Sequence, residues 1–178
     1  GPLGGWGYST AEGGMRVPCI MRWPKKIPAS SVCDQLCTTM DMLPTFAALA
    51  GIDVPSGPPI DGKDIRPLLT DDRATSPHKA FYYYRLEQLQ AVRVEDWKLY
   101  LAYKSRTRDG KLVTAKPRLY NVRQDAGETQ NVVDLHADVV ARLIKHAEQG
   151  RAELGDQGLR GTGRRSHGFS DHPTPRIK

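Results

Sequence analysis

Apolar and polar positions change rhythm twice along this chain, and the changes divide it. The run VPCIMRW, residues 17–23, is nearly continuous in apolar character and predicts a short buried strand, closed by the proline-punctuated PKKIPASS. TTMDMLPTFAALAG then takes up a helical period, with Met42, Phe46 and Leu49 on one face expected to dock on a core. Thr39 or Asp41 can cap that helix, Pro44 is tolerated in its first turn, and Gly51 supplies a left-handed stop. DVPSGPPIDGKDIRPLL reads as a loop with one helical turn from Ile65 to Leu69. After TDDRATSPH the period becomes two. KAFYYY, LQAVRV and WKLYLAY read as strands, the last two forming a hairpin about Glu95 and Asp96, and PRLYNV as a fourth. Alternation sends Tyr83 to one face of its strand and Tyr82 and Tyr84 to the other. ADVVARLIKHAEQGRAEL is an amphipathic helix with Val139 or Val140, Leu143, Ile144 and Ala147 inward and Arg142, Lys145 and Glu148 outward.

Strands followed by one covering helix predict a small α+β unit over residues 75–155. Residues 1–74 hold one strand, one helix and loops. A lone strand satisfies neither its edges nor both its faces, so this part is expected to be the C-terminal end of a larger α/β domain. Residues 156–178 read as a basic, disordered tail.

Composition changes this picture little. The 178 residues are 39% hydrophobic and 26% charged, enough for one good core, and 17 glycines with 13 prolines make the chain rich in loops. No apolar run approaches the roughly 20 residues of a membrane span, so no membrane partner is expected. The net charge of +6 gathers largely in LRGTGRRSHGFSDHPTPRIK, which lacks the aromatic interleaving that stacks bases. Nucleic acid is therefore not an expected partner. Cys19, Cys33 and Cys37 are too few for a disulfide framework and are expected to be small buried thiols, none a nucleophile or metal ligand. His136 and His146 share no ligand face and are expected to be solvated.

The chemistry-bearing stretch is GYSTAEGGMRVP, residues 7–18. Glycines around a lone carboxylate permit close backbone approach and positive φ, as a loop folded over another element needs. The guanidinium of Arg16 suits either an oxyanion or Glu12, and pairing with Glu12 is the favoured reading. The spacing matches neither the phosphate-binding G-x-x-x-x-G-K-[ST] nor the dinucleotide G-x-G-x-x-G pattern.

Taken together, EGGMRVPCIMRWP, TTMDMLPTFAALAGIDVP, DGKDIRPLL, AFYYYR and LYNVRQDAGETQN occur in an order and spacing that resemble the C-terminal portion of the type I sulfatases. These are the arylsulfatase A and N-acetylgalactosamine-6-sulfatase group of the alkaline phosphatase superfamily, and the resemblance runs from about Gly1 to Leu154. It implies a sulfate ester hydrolase acting on a sulfated small molecule or glycan. Its nucleophile would be a formylglycine made in a C-x-P-x-R type motif, with a Ca²⁺ ion on Asp and Asn oxygens orienting the sulfate. This chain contains neither that motif nor the acidic cluster, so the resemblance assigns no catalytic residue and no metal ligand here. It places them in an N-terminal catalytic region and implies that the segment alone is inactive. It also implies a periplasmic or secreted location.

Within the resemblance, Ser9, Thr10, Glu12 and Arg16 match the substrate loop, in shaping roles. Arg85 and Gln88, just past a strand, are candidates for the mouth of the pocket. One departure stands out. Where the sulfatases carry a sulfate-contacting Lys five residues before the Glu, this chain has Gly7. GPLG at the start fits both the family's own pattern and a protease-cleavage scar. Two rivals stay open: a phosphonate or phosphate ester hydrolase of the same superfamily, and a degenerate, non-catalytic sulfatase-like binding protein.

Overall fold

A computed structural model describes residues 1–57, 59–106, 109–166 and 170–174. Its centre is a four-stranded antiparallel sheet in the order β1 (Phe81–Arg85), β2 (Gln88–Val94), β3 (Trp97–Tyr100), β6 (Arg118–Asn121). The segment WKLYLAY divides: β3 ends at Tyr100, and β4 (Tyr103–Arg106) leaves the sheet to pair with β5 (Leu112–Ala115), a strand the periodicity does not announce. The period-two pattern sorts the sheet's faces. Leu89, Val92, Val94, Leu99 and Leu119 meet Val139, Leu143 and Ala147 of α4 (Ala137–Leu154). The opposite face carries Tyr83, Ala91, Tyr100, Tyr120 and Val122. Tyr82 and Tyr84 lie on the helix side and Tyr83 on the other, as alternation requires.

Helix α4 has the expected ends but a narrower apolar face. Ile144, expected inward, is 43% exposed, because Leu143 and Ala147 already fill the contact line with the sheet. Gly150 sits where a side chain would strike the Tyr82 ring, its nearest atom 2.5 Å from an added Cβ. His136 is not simply solvated: its ring packs against Trp97 with centroids 4.7 Å apart. Residues 156–164, expected to open a disordered tail, are instead folded back on α4, and residues 167–169 and 175–178 of that expected tail lie outside the described residues. Two short strands, β7 (Gly155–Asp156) and β8 (Leu159–Arg160), make a hairpin. Thr162 and Gly163 then donate to the carbonyls of Ala152 and Glu153. Arg151 pairs with Asp156 at 2.8 Å, and the Tyr84 hydroxyl donates to Gly155 O at 2.6 Å.

The first 75 residues carry less regular structure. Residues 17–23 are not a strand but irregular coil, with Val17 and Ile20 68% and 95% exposed. A strand is defined by its neighbour's ladder, and among the described residues no strand lies beside it. The predicted helix is present as a 3₁₀ turn Thr39–Asp41 running into α2 (Met42–Leu49), ending before Gly51 at φ +67. Its apolar face is uncovered, with Phe46 58% exposed, and the side chains that hold it are polar. Buried Asp41 accepts from the Thr38 amide (2.7 Å), the Lys63 amide (2.8 Å) and His78 Nε2 (2.8 Å). Thr45 Oγ1 accepts from the Ile65 amide at 3.0 Å, which fixes the approach to α3 (Arg66–Thr70). The three cysteines, expected to be buried, are exposed and free.

The two faces of α4 make a direct comparison. Leu143→Ala, at a site with no exposure, is expected to cost about 2–5 kcal/mol, and Ile144→Ala less than about 1 kcal/mol, by urea denaturation.

Candidate functional site

The segment Gly4–Arg16 lies across the sheet face opposite α4, and a buried ionic cluster holds it there. The register of β2 and β3 sets Arg93 directly opposite Lys98. Two cations facing each other across a ladder repel, and both side chains are almost wholly removed from water. Carboxylates resolve the conflict. Lys98 Nζ lies 2.9 Å from Glu12 Oε1 and 3.0 Å from Glu128 Oε1, and it donates to Thr10 O at 2.7 Å. Glu12 Oε2 has no hydrogen bond and is held by charge alone, 3.2 Å from Arg16 Nε and 3.6 Å from the Arg93 guanidinium. Tyr83 donates to Glu12 at 3.1 Å and Tyr100 to Glu128 at 2.7 Å. Their rings flank the Lys98 ammonium, centroids 4.0 and 5.0 Å away.

Each part of this cluster has a local cause. Glu12 opens a four-residue helical turn, α1 (Glu12–Met15), that seats on backbone. A Cβ on Gly13 would lie 2.7 Å from Gly4 O, and one on Gly14 would lie 2.4 Å from Ser9 O. Glycine is therefore needed at both for close approach, while the positive φ values of the loop fall at Gly5 and Tyr8. Glu128 also has positive φ, +55, a strained conformation for a residue with a side chain. Asp125 stabilises that turn by accepting from the Thr129 and Gln130 amides, both at 2.8 Å. The Glu128 carboxylate then reaches Lys98, Tyr100 and the Glu12 amide.

Protonation follows from the same contacts. Burial alone raises the Glu12 pKa, but Lys98, Arg93 and the Tyr83 hydroxyl outweigh it and hold the carboxyl below its ordinary value. Burial raises the Tyr83 and Tyr100 phenols, and their carboxylate partners raise them further, so both remain proton donors.

The sequence-predicted residues fall into two groups. Thr10, Glu12 and Arg16 belong to the clamped loop: Thr10 is buried, its hydroxyl donating to Gln90 Oε1 at 3.1 Å, and Arg16 pairs with Glu12 as expected. Ser9 shapes the turn, its hydroxyl donating to Trp6 O at 2.6 Å. Arg85 and Gln88 lie at the β1–β2 turn, beyond direct contact with the loop. A bulge connects the groups. Tyr83 pairs with Ala91 and Tyr84 with Leu89, leaving Gln90 the extra residue, and its amide bridges Thr10 to Gln88 Oε1 at 3.0 Å. Sequence reasoning missed Arg93, Lys98, Tyr100 and Glu128. Arg93 and Lys98 alternate with the core residues Val92, Val94 and Leu99, as solvent-facing charges do, so the pattern hid their burial, and Glu128, in a turn, had no local signal. No group of three or more His, Cys, Asp or Glu side chains among the described residues can hold a metal ion, so no step is assigned here to one.

The tip of the loop is a different environment. Trp6 and Tyr8 are 71% and 89% exposed, their rings edge to face with centroids 6.3 Å apart. Between them, a side chain added at Gly7 would meet nothing within 4 Å.

Comparison with known proteins adds to this geometry. The family described as "N-sulphoglucosamine sulphohydrolase, C-terminal" matches residues 8–153. The chain is 44% identical over 82 residues to steryl-sulfatase of Mus musculus, covering 46% of this chain and 13% of that protein. It is 31% identical over 157 residues to arylsulfatase A of Bos taurus, covering 79% of this chain and 31% of the other. A crystal structure of the PsFucS1 sulfatase from Pseudoalteromonas sp. superposes with a TM-score of 0.74 at 25% identity, over 85% of this chain and 32% of that one. The chain thus spans between about an eighth and a third of these relatives' lengths.

Glu12→Gln removes one charge from the cluster and is expected to cost about 3 kcal/mol at pH 7. A carboxyl with a lowered folded pKa stabilises the fold above its unfolded value and loses that contribution as pH falls through the folded one. Urea denaturation from pH 7 down to pH 2 should therefore show a steep acid limb below roughly pH 4 in the parent chain and a shallower one in the variant.

Proposed function

The chain belongs to the sulfatase family matched by the N-sulphoglucosamine sulphohydrolase C-terminal region, and from that premise we propose that it is the C-terminal part of an enzyme hydrolysing sulfate esters of sugars. The observation that carries the reading is the clamped loop. Glu12, Lys98 and Glu128 fix its base against the sheet, while Trp6, Gly7 and Tyr8 stand free at its tip. A loop anchored in this way can hold its apex in one place against a reacting group, which is what stabilising charge on a leaving oxygen requires. The nucleophile and the Ca²⁺ ligands are assigned to residues outside these 178. The exposed apolar side chains of residues 1–74, among them Val17, Ile20, Val32, Leu43, Phe46 and Ile52, are where the remainder of the α/β domain would pack. Function outside the cytoplasm, in a periplasm or secreted, goes with this assignment.

A second reading, a binding protein that keeps the fold without turnover, rests on Gly7. That position faces open space, and among the described residues nothing lies within 4 Å of a side-chain carbon placed there. Arg16 does not fill it, being tied to Glu12.

Both readings answer to one experiment. The intact protein is expected to hydrolyse an aryl sulfate in the presence of Ca²⁺ and to prefer it to the matching phosphate ester. The reverse preference would favour a phosphoryl or phosphonate hydrolase. Since a Gly7 side chain meets no obstruction, Gly7→Lys is expected to raise kcat, by up to about 10²-fold. A parent with no turnover against any of these esters would support the binding-protein reading.

A further inference from the structure

Beside the β1–β2 turn lies a groove of about 440 Å³, within the range of about 300–1,000 Å³ that small-ligand clefts take. Its charged lining is mostly of one sign: Arg85 comes from the end of β1, and Lys104 and Arg106 from β4. Two residues apart on one strand, Lys104 and Arg106 project from the same face. Resting on the sulfatase reading above, we propose that this groove is a subsite for a second anionic group, a sulfate or carboxylate, on a multiply charged sugar substrate.

Charge accounting supports it. Among the described residues, neither Arg85 nor Lys104 has an acidic partner, and Arg106 donates to the carbonyl of Gly110 at 3.0 Å. The acids nearby are engaged. Glu87 pairs with Arg164 at 3.4 Å, and Asp156 is taken by Arg151 and by the Leu89 amide at 2.9 Å. The floor is an ordered row of amides: Gln88 Nε2 donates to Lys104 O at 3.0 Å and to Gln157 Oε1 at 3.1 Å. Cations without acidic partners beside fixed amides suit an oxyanion, because guanidinium and ammonium bind the charge, while the Gln88 amide, its N–H groups already given to Lys104 and Gln157, holds the groove's shape.

The groove is also wired to the loop. Gln88 accepts from Gln90, and Gln90 accepts from Thr10, so two side chains separate the groove from the segment that carries the candidate reacting end. One ester at the loop tip and a second anion in the groove would read two charges on one oligosaccharide.

The test uses the intact protein, with calorimetric binding of a disaccharide carrying two sulfates and of a monosaccharide carrying one. The double variant Arg85→Gln with Lys104→Gln alters exposed side chains and should leave Tm unchanged. It is expected to weaken the disulfated ligand about tenfold or more and to flatten its salt dependence, with the monosulfated ligand changed less than about twofold. Unchanged affinity for the disulfated ligand, equal losses for both, or no binding of the disulfated ligand by the parent would each overturn the subsite. Hydrolysis measured on the same samples separates the two ideas. Groove-dependent binding without any sulfate release would reject the sulfatase reading and keep the subsite.

Discussion

A lysine ammonium wholly removed from water must have its charge met where it sits, and Lys98 is met by Glu12 on one side and Glu128 on the other. The rest of the arrangement follows from that requirement. Arg93 lies directly across the ladder from Lys98, so the sheet presents a pair of cations that no solvent can screen. The two carboxylates come from far away in sequence, one from the glycine-rich loop and one from the turn after β6. Neutralising the sheet therefore means bringing the loop and the turn onto it.

The sheet uses its faces for different physics. Against α4 it is apolar, and side chains such as Leu119 and Leu143 contribute to stability by leaving water. On the other face charged, directional contacts run through an aromatic cluster of Tyr83, Tyr100 and Tyr120, and they specify position. Removing one member leaves an uncompensated buried charge, which is why such a cluster fixes a loop in register more sharply than apolar packing does. Thr10 gains from this, because its carbonyl is held by Lys98 and its hydroxyl by the bulged Gln90. The bulge carries the positioning on to Gln88 and the basic groove, so loop and groove share a frame.

Much of the fold is legible from residue pattern. The alternation in FYYYR and LQAVRV and the helical period of ADVVARLIKHAEQGRAEL identify the sheet strands and α4 because one face of each is buried by its own neighbours. VPCIMRW and the Met42–Leu49 face are the complementary case: an apolar pattern does not say what covers it, and among the described residues they stay exposed. In the site, the Glu12–Arg16 pairing is local, four residues apart on one turn, and could be read directly. Lys98 and Glu128 could not be paired from sequence, since their contact depends on tertiary placement of a turn held by Asp125. In AVRV and WKLY the charge alternates with the residues that face α4, the pattern of a solvated face, and only the loop laid over that face makes it buried.

Hydrogen exchange across the loop tests most directly whether the Lys98 charge positions it. In the Lys98→Met variant, the amides of Glu12 and Gly13, bonded to Glu128 and to Gly4 O, should exchange on the order of 100-fold faster than in the parent. The amides of Leu99 and Leu143, in the sheet and helix core, should slow or quicken far less. Equal acceleration everywhere would mean that the cluster serves general stability alone. An unchanged loop would mean that the glycine contacts hold it without the charge, and either result would contradict the account.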